Sequence, residues 1–316
     1  MRPQLTPELP VDPFSPPRLL KRAIATIDWP TVALFVGCWG LWAGALVMPA
    51  GWGALGFVGL LTSLTLHSSL SHEILHGHPF RNKTANSLLG LVQPGLMVPY
   101  FRFKRLHLAH HRDETLTDPY EDPESNYLDP ARWGRLSAGT RVMLLFNNTL
   151  FGRMLIGPII GMSGFIRGDI ARFQQGDRQV AWDWAVHLPG IMMVLWVVSL
   201  TAVPIWVYLL ACYAALSVLR IRTFLEHRAH AQGQARTVIV EDRGLLAFLF
   251  LNNNLHVVHH MHPGVCWYDL PRLYRAHRDR FLARNDGYVY RSYGEVFRRY
   301  FLSRKDPVAH PLWPRD

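Results

Sequence analysis

The sequence predicts an all-α, polytopic membrane protein with about four transmembrane helices in two hairpins and a helical cap on the cytoplasmic side. The chain carries 33 Lys and Arg residues, yet none lies between Arg22 and Arg81 or between Arg178 and Arg220. These two blocks are apolar, and each is long enough for two helices of bilayer length. Eight histidines stand in three clusters, one near the end of the first block and two outside the blocks, which predicts a metal site in the cap.

Each block contains two apolar runs separated by a short turn. In the first block the turn holds Pro49 and Gly51, which interrupt a helix. The second block repeats this plan around an uncharged turn at residues 201–204. A run of about 20 predominantly apolar residues crosses the hydrocarbon core as a helix. The predicted transmembrane helices cover residues 29–47, 54–70, 184–200 and 205–219.

Basic residues flank both hairpins, whereas the two connecting turns carry none. Cytoplasmic loops of membrane proteins carry an excess of Lys and Arg. We therefore expect both termini, the central segment and all the histidine clusters on the cytoplasmic side of a bacterial inner membrane. The flanking residues are Arg18, Lys21 and Arg22 before the first hairpin, Arg81 and Lys83 after it, Arg178 before the second, and Arg220 and Arg222 after it.

The segments outside the hairpins divide into surface helices, loops and tails. The apolar stretches 88–98 and 143–166 are broken by polar or helix-breaking residues, and we expect interfacial or re-entrant helices there. The pattern at 293–300 predicts an amphipathic helix within a cap formed by residues 270–302. The proline-containing acidic run 118–124 predicts a surface loop. The chain then divides into a cytoplasmic N-terminal tail, a membrane domain with its cap and a C-terminal tail, at residues 1–22, 23–303 and 304–316, of which 307–316 is expected to be loose.

The histidines are spaced so that a helix can present them together. Residues at positions i, i+3 and i+4 lie on one helical face, so each cluster can aim its imidazoles at one point. Neutral imidazole is the commonest metal-binding side chain. Eight ligands exceed the four that one zinc ion takes, which predicts two metal ions close together. The clusters are His72 and His76, then His107, His110 and His111, and finally His256, His259 and His260.

The first cluster permits a different interpretation, because residues 72–76 read H-E-x-x-H, the signature of zinc metalloproteases. In that hypothesis Glu73 is the general base of a membrane peptidase, but six histidines are left without a role. In the two-metal hypothesis Glu73 and Asp113 instead accept hydrogen bonds from the outer nitrogens of metal-bound rings. A metal-binding membrane protein without enzymatic activity is a third and more remote hypothesis.

Other cofactor and partner signals are few. The cysteines Cys38, Cys212 and Cys266 have neither the spacing of a disulfide framework nor that of a thiolate metal site. We expect Cys38 and Cys212, which lie in apolar stretches, to act as small buried hydrophobic residues. The sequence has no glycine-rich motif for a flavin or a nicotinamide, so redox chemistry would need a separate electron donor. Basic residues are not interleaved with aromatic ones in a recognition motif, so a nucleic-acid partner is not expected.

The three histidine boxes resemble those of the membrane fatty-acid desaturase superfamily, which includes acyl desaturases, carotenoid ketolases and hydroxylases, and alkane hydroxylases. The boxes read H-x-x-x-H at residues 72–76 and H-x-x-H-H at 107–111 and 256–260. The run P-x-x-x-W-Y-x-L-P at 263–271 is similar to one that often follows the third box in bacterial members. The resemblance covers residues 67–300, including the paired hairpins.

The resemblance implies that the cap carries a di-iron centre held by eight or nine histidines. Eight of them are the box residues, and a ninth ligand commonly lies between the second hairpin and the third box. His227 is our choice for the ninth, with His230 as the alternative. Asn252 and Asn253 are expected to brace a ring, to hold a metal-bound water or to cap a helix. The implied ligands are His72, His76, His107, His110, His111, His227, His256, His259 and His260.

The resemblance also implies an oxidoreductase in which two Fe ions use O₂ as co-substrate to attack an unactivated C–H bond of a lipid or another hydrophobic substrate. We expect a fatty-acid (acyl-chain) desaturase of lipid metabolism. A hydroxylase or ketolase that acts on a carotenoid, a hydrocarbon or a small metabolite is the alternative. Electrons would come from a separate ferredoxin or a similar protein, for which the basic cytoplasmic face is suited.

Overall fold

Helices dominate the computed structural model, which describes residues 27–49, 51, 53–111 and 115–313. The N-terminal tail expected at 1–22 and the predicted ring partner Asp113 lie outside the described residues. The helices are α1 Trp29–Leu46, α2 Gly53–Leu75, α3 Lys83–Leu91, α4 Tyr100–His110, α5 Pro130–Gly134, α6 Ala138–Asn147, α7 Leu150–Leu155, α8 Gly157–Gln174, α9 Arg178–Ser199, α10 Ile205–Thr223, α11 Leu245–Leu249, α12 His256–Met261, α13 Leu270–Ala276, α14 Arg278–Arg284 and α15 Tyr293–Tyr300. A 3-10 turn, Gly233–Ala235, and two short strands, β1 Ile239–Val240 and β2 Val289–Tyr290, accompany them. The all-α prediction is confirmed.

Four of these helices, α1, α2, α9 and α10, are long and apolar enough to cross a membrane, which confirms the predicted number. Three of them are longer than the apolar runs, and α10 continues to Thr223. α2 continues to Leu75 because polar side chains such as Ser69 and His72 are buried against the rest of the protein. α9 begins earlier than predicted, where the Asp177 side chain accepts a hydrogen bond from the backbone N–H of Gln179.

The two hairpins pack against each other, and a chain of hydrogen bonds joins α1 to α10. Trp42 Nε1 donates to the Tyr208 hydroxyl over 3.0 Å, and that hydroxyl donates to the carbonyl of Pro94 over 2.6 Å. Within the first hairpin Gly59 permits a close approach, since a Cβ there would lie 3.0 Å from the Cβ of Ala45. Small residues and interhelical hydrogen bonds are the features that hold membrane helices together.

The segment at 88–98 is only partly helical. α3 ends at Leu91, and the residues after it are irregular and enter the bundle. The carbonyl of buried Leu96 accepts a hydrogen bond from His187 Nε2 over 2.8 Å, as that of Pro94 does from Tyr208. Side chains of α9 and α10 thus satisfy backbone groups that a buried irregular segment would leave unpaired. The expected helix is therefore wrong beyond Leu91, and an inserted loop takes its place.

Residues 143–166 fall into three consecutive helices, α6, α7 and α8. Thr149 separates the first two, and its hydroxyl accepts a hydrogen bond from the backbone N–H of Gly152 over 3.0 Å. α8 exposes a row of large apolar side chains, Ile159, Ile166, Ile170 and Phe173. Such a face suits a helix that lies on a membrane surface, and the interfacial interpretation stays a prediction.

The helices α11–α15 and the two strands form a cap beside the ends of α2 and α10. β1 pairs with β2 in parallel, with Ile239 opposite Val289 and Val240 opposite Tyr290. The amphipathic helix predicted at 293–300 is confirmed as α15, which buries Val296 and exposes its arginines. Side chains of β1, β2 and α15 share one buried apolar cluster with α2 and α10. The side of the membrane on which this cap lies stays a prediction.

The C-terminal residues pack against the segment before α5 and the segment after α10. The backbone N–H of Leu128 donates to the carbonyl of Val308 over 2.9 Å, and that of His310 donates to the Leu128 carbonyl over 2.8 Å. Lys305 Nζ donates to the carbonyl of His227 over 2.5 Å. The expectation of a loose C-terminal end is therefore wrong for the described part of it. The amino-acid composition shows that this segment is polar, but it cannot show which backbone groups the segment hydrogen-bonds to.

Candidate metal centre

The three histidine boxes lie at the ends of helices. α2 carries His72 in its last turn, and His76 follows directly after the helix. α4 ends with the second box, so that His107 and His110 lie in its last turn. α12 is a short helix that begins with the third box at His256. The ends of α2, α4 and α12 meet at one place, which brings the boxes together.

Five histidines form a first group, in which one ring nitrogen from each lies within 4.8 Å of the others. His107 Nε2 lies 2.9 Å from the Nε2 atoms of both His72 and His111. His259 Nε2 lies 3.1 Å from that of His111. The members of the first group are His72, His76, His107, His111 and His259. All three boxes therefore contribute to it.

Four histidines form a second group with the same spread of donor atoms. His227 Nε2 is central, at 2.9 Å from His110 Nε2 and 3.2 Å from His256 Nε2. His227 lies just after α10, where its backbone forms a bridge with Thr237. The members of the second group are His110, His227, His256 and His260. The second and third boxes supply three of them.

Each H-x-x-H-H box divides its histidines between the two groups. In α4, His107 and His111 face the first group and His110 faces the second. α12 does the reverse, with only His259 in the first group. The expectation that each box aims at a single point is therefore wrong for the second and third boxes, whereas both histidines of the first box face the first group. Positions i+3 and i+4 lie about 100° apart around a helix, so they can address two points side by side. The rings of His111 and His260 stack with centroids 4.3 Å apart, which makes the groups adjacent.

Three of the rings have a carboxylate or amide oxygen within 3.0 Å of their outer nitrogen. A carboxylate or amide oxygen at this distance accepts a hydrogen bond, so the ring holds its proton on Nδ1. The lone pair of Nε2 then faces the group, which is the tautomer that a metal ligand needs. The pairs are His107 with Glu124 at 3.0 Å, His110 with Asp122 at 2.7 Å and His256 with Asn253 at 2.8 Å.

Asp122 and Glu124 were not among the predicted site residues, because they belong to the acidic run 118–124 that was expected to be a surface loop. Asp122 is buried, and it also accepts the backbone N–H of Thr117 over 2.9 Å. A buried carboxylate needs such partners, because leaving it unpaired is costly. The available signal was two carboxylates at positions i and i+2, a short distance after the second box.

The second group shows why this arrangement fits metal ions. His110 and His256 direct Nδ1 at an acceptor, so in their neutral forms both rings present Nε2 lone pairs to His227. A neutral ring has one proton, which His227 cannot donate to both neighbours, so hydrogen bonds among these nitrogens leave a lone pair unmatched. A cation among them removes the conflict. Two nitrogens bound at about 2.1 Å and about 90° apart on one ion lie roughly 3.0 Å from each other, close to the separations of 2.9 and 3.2 Å.

Electrostatics keep most of these rings neutral. Burial, reinforced by neighbouring imidazoles, holds the pKa values of His227 and His256 well below the usual range. The same causes lower the pKa of His76 to about 2. Neutral imidazole is the form that binds a metal. Burial also lowers the pKa of His110, but the two carboxylates beside it outweigh this effect and raise the pKa to about 9. A metal ion that binds His110 therefore displaces a proton.

Glu73 and His230, two other predicted site residues, lie outside both groups. Glu73 Oε1 is 3.8 Å from His72 Nδ1, which is beyond hydrogen-bonding distance. The buried Glu73 carboxylate instead accepts the backbone N–H of Trp267. His230 points away, with Nε2 at 3.4 Å from Asp286 Oδ2. The structure thus brings His227 and not His230 to the other histidines.

The two asparagines before the third box have different surroundings. Asn253 Oδ1 accepts a hydrogen bond from His256 Nδ1 and so braces this ring, which was one of its expected roles. Asn252 adopts a positive φ of 56° and donates Nδ2 to the carbonyl of Trp267 over 3.0 Å. The N-cap of α12 is Leu255, and no side chain of the described residues caps it. The capping interpretation is therefore wrong for both asparagines at this helix.

The sequence profile of the family described as Fatty acid desaturase matches residues 49–293. The chain belongs to the fatty acid desaturase family. The matched stretch contains all the histidines of both groups and the candidate membrane helices α2, α9 and α10. The resemblance recognised in the histidine boxes is thereby confirmed. No curated protein matches the sequence.

Membership of the desaturase family makes this chain a membrane oxidoreductase of the desaturase or hydroxylase type. Enzymes of the family use di-iron centres, and the two histidine groups described here can hold metal ions. Membership also argues against the zinc peptidase hypothesis for residues 72–76. The structure adds that His72 and His76 share their group with three further histidines, which a peptidase site does not need.

Proposed function

We propose that this desaturase-family protein introduces a C=C bond into the acyl chain of a membrane lipid, in an O₂-dependent reaction at a di-iron centre. The observation that carries the proposal is the pair of adjacent histidine groups, in each of which one nitrogen from every ring lies within 4.8 Å of the others. The first and second groups would each hold one iron, and their nitrogen-rich donor sets suit that metal. Two bound irons would supply an oxidant, derived from O₂, that removes hydrogen from an unactivated C–H bond.

The chain's own residues orient the ligands and exclude water. Asp122, Glu124 and Asn253 hold three rings by their outer nitrogens, which keeps the rings oriented and raises their basicity. His107 and His110 are 2% and 1% exposed. A dry centre protects the reacting C–H bond from competing reactions with water.

The position of the centre supports a lipid substrate. His72 belongs to the last turn of α2, a helix long and apolar enough to cross a membrane. A chain that lies in the bilayer can therefore reach the level of the histidines without first passing through bulk water. Removal of hydrogen from two neighbouring carbons gives an alkene, and the family description supports this outcome over retention of oxygen as an alcohol.

We infer that a separate small redox protein, a ferredoxin or a similar carrier, delivers electrons at a cap that faces the cytoplasm. The basic residues that flank both hairpins on the cap side support this orientation. One cleft of the cap is lined by four exposed arginines and two acidic residues, so its net charge is positive: Arg243, Arg275, Arg278 and Arg291, with Glu241 and Asp242. A cationic surface of this kind accelerates the docking of an acidic partner.

Metal content and reaction products test the proposal together. Wild-type protein purified in mild detergent is expected to hold about two irons per chain, as two nitrogen-rich groups suggest. His110→Ala and His259→Ala each remove a ligand from one group, so both should lose iron and desaturated lipid product. His230→Ala is the matched control, because this nearby histidine lies outside both groups and should leave both readouts unchanged.

Two results would contradict the proposal in different ways. A zinc ion that survives both substitutions, with no iron in the wild type, would exclude the di-iron centre. An alcohol in place of an alkene, detected by mass spectrometry of the lipids, would keep the di-iron centre but make the protein a hydroxylase.

A further inference from the structure

Three side chains outside the two histidine groups form a further cluster with different donor atoms. Asp28 lies just before α1, His78 follows the first histidine box, and Cys266 lies in the loop between α12 and α13. One oxygen, nitrogen and sulfur atom from them lie within 4.8 Å of one another. The three residues are 3%, 2% and 8% exposed, so the cluster is shielded from solvent.

The contacts of this cluster converge on a single ring nitrogen. His78 Nδ1 lies 3.2 Å from Asp28 Oδ2 and 3.7 Å from Cys266 Sγ. One N–H can point at only one of these atoms, so a hydrogen-bonded pair of His78 and Asp28 leaves the sulfur contact without a role. An ion in tetrahedral coordination would place nitrogen and oxygen about 3.3 Å apart, and nitrogen and sulfur about 3.6 Å apart. The observed separations are close to both values.

Neighbouring residues orient the Asp28 carboxylate by hydrogen bonds, as is usual for metal-binding carboxylates in proteins. Thr31 donates to it from the hydroxyl over 2.7 Å and from the backbone N–H over 3.3 Å. The Tyr268 hydroxyl lies 3.1 Å from Asp28 Oδ1 and also hydrogen-bonds to Cys266. Such outer hydrogen bonds fix the direction of ligands at metal sites. The Tyr268 hydroxyl is placed to complete the coordination or to hold a water there.

The donor types distinguish this cluster from the histidine groups. Thiolate, imidazole and carboxylate together are the set that zinc takes in proteins, with a fourth position filled by another ligand or by water. The two histidine groups offer nitrogen alone, which suits iron in the proposed function. The different donor atoms therefore allow one chain to bind zinc at this cluster and iron at the histidine groups.

We propose that Asp28, His78 and Cys266 bind one zinc ion, as a structural site separate from the catalytic centre. The ion would tie the start of α1 to the loop after the first box and to the loop after the third box. His76 precedes His78 by two residues in the chain, and Cys266 follows the third box directly. The zinc ion would thus hold the first and third boxes at a constant separation.

Cobalt substitution tests the site on the intact protein. Cobalt bound by a thiolate absorbs in the near ultraviolet by charge transfer, whereas cobalt bound by histidine alone lacks this band. Neither histidine group contains sulfur, and the other two cysteines, Cys38 and Cys212, lie within membrane helices. The band therefore reports on Cys266. We expect the band in wild-type protein and in the control Cys212→Ser, and its loss in Cys266→Ser. Wild-type protein without the band, or Cys266→Ser with it, would overturn the proposal.

A second variant covers the case in which Cys266→Ser does not fold. Asp28→Asn keeps a side chain that can cap α1 but removes the anionic ligand. Cobalt should still give the thiolate band in this variant, with an affinity lower by at least roughly tenfold. Zinc content should fall by about one ion per chain while iron is unchanged. An unchanged cobalt affinity in Asp28→Asn would show that His78 and Asp28 form a hydrogen-bonded pair without metal.

Discussion

The oxygens of Asp122, Glu124 and Asn253 determine which nitrogen of three imidazoles faces the proposed centre. Each accepts a hydrogen bond from the outer nitrogen of one ring, so the inner nitrogen of the neutral ring is the one that can bind a metal. A ring without such a partner can adopt either tautomer and turn about its side-chain bonds. The two carboxylates also place negative charge beside groups that would hold two cations.

Asp122→Asn tests this role at the scale of one residue. The amide keeps the shape of the side chain but removes the charge and weakens the acceptor for His110. We expect metal affinity and desaturation to fall by roughly 10–100-fold, the usual loss when an outer partner of a ligand is changed. Chelator titration and product yield measure the two effects.

Glu121→Gln is the matched control for Asp122→Asn. Glu121 precedes Asp122 in the same loop, but it is exposed and belongs to none of the ring contacts described above. Its substitution should leave metal affinity and product yield at the wild-type level. Equal losses in both variants would mean that the loop acts through its net charge and not through the hydrogen bond to His110.

Among the elements of the fold, α4 and α12 support the centre in complementary ways. Each gives two histidines to one group and one to the other. α12 is only six residues long, and so short a helix is not stable alone. Its buried residues Val257 and Val258 pack into an apolar cluster with Leu270 and Leu273 of α13. The positions of the third-box histidines therefore depend on tertiary packing.

Gly90→Ala tests how α4 is supported. Gly90 in α3 lies against Tyr100 at the start of α4, and a Cβ there would come within 2.5 Å of the buried ring. We expect a loss of about 1–3 kcal/mol in stability, as for other overpacked cores. Thermal unfolding in detergent should show a lower midpoint together with reduced metal retention.

Gly168→Ala in α8 is the control for Gly90→Ala. A Cβ at Gly168 meets nothing within 4 Å, so this change should leave the midpoint unchanged or raise it slightly, because alanine favours helix. A Gly90→Ala protein as stable as the Gly168→Ala protein would show that Tyr100 can move without disturbing α4.

For the whole molecule, the ends of the membrane helices and the cap share one site. Histidines from residue 72 to residue 260 meet there, from α2, α4, α12 and the segment after α10. Ligands so far apart in the chain come together only in the folded protein. Metal ions that bind only this state stabilise it by mass action, so metal-free protein should unfold more readily.

The orientation of the whole molecule is testable by labelling single introduced cysteines. Gly51→Cys lies in the turn of the first hairpin, and Lys83→Cys lies on the cap side after it; both positions are exposed. With the cap in the cytoplasm, a membrane-impermeant maleimide should label Gly51→Cys in intact cells and Lys83→Cys only after lysis. The parent protein controls for its own cysteines, which are all buried. The reverse pattern would place the cap outside.

The sequence alone was sufficient for features that depend on local composition and spacing. Hydropathy predicted four candidate membrane helices, because the cost of exposing polar groups to lipid is a property of each segment. The period of apolar residues predicted α15, and the spacing of the boxes pointed to the family that the profile match then showed. Each of these signals lies within a few turns of one stretch of chain.

Only the tertiary structure decided how these stretches meet. It divided each H-x-x-H-H box between two groups, placed His227 rather than His230 beside them, and paired Asp122 and Glu124 with ring nitrogens. It also inserted the loop after α3 into the bundle and brought Cys266 to Asp28. The physical reason is that partner choice depends on packing and hydrogen bonding between residues far apart in the chain, which composition and spacing do not encode.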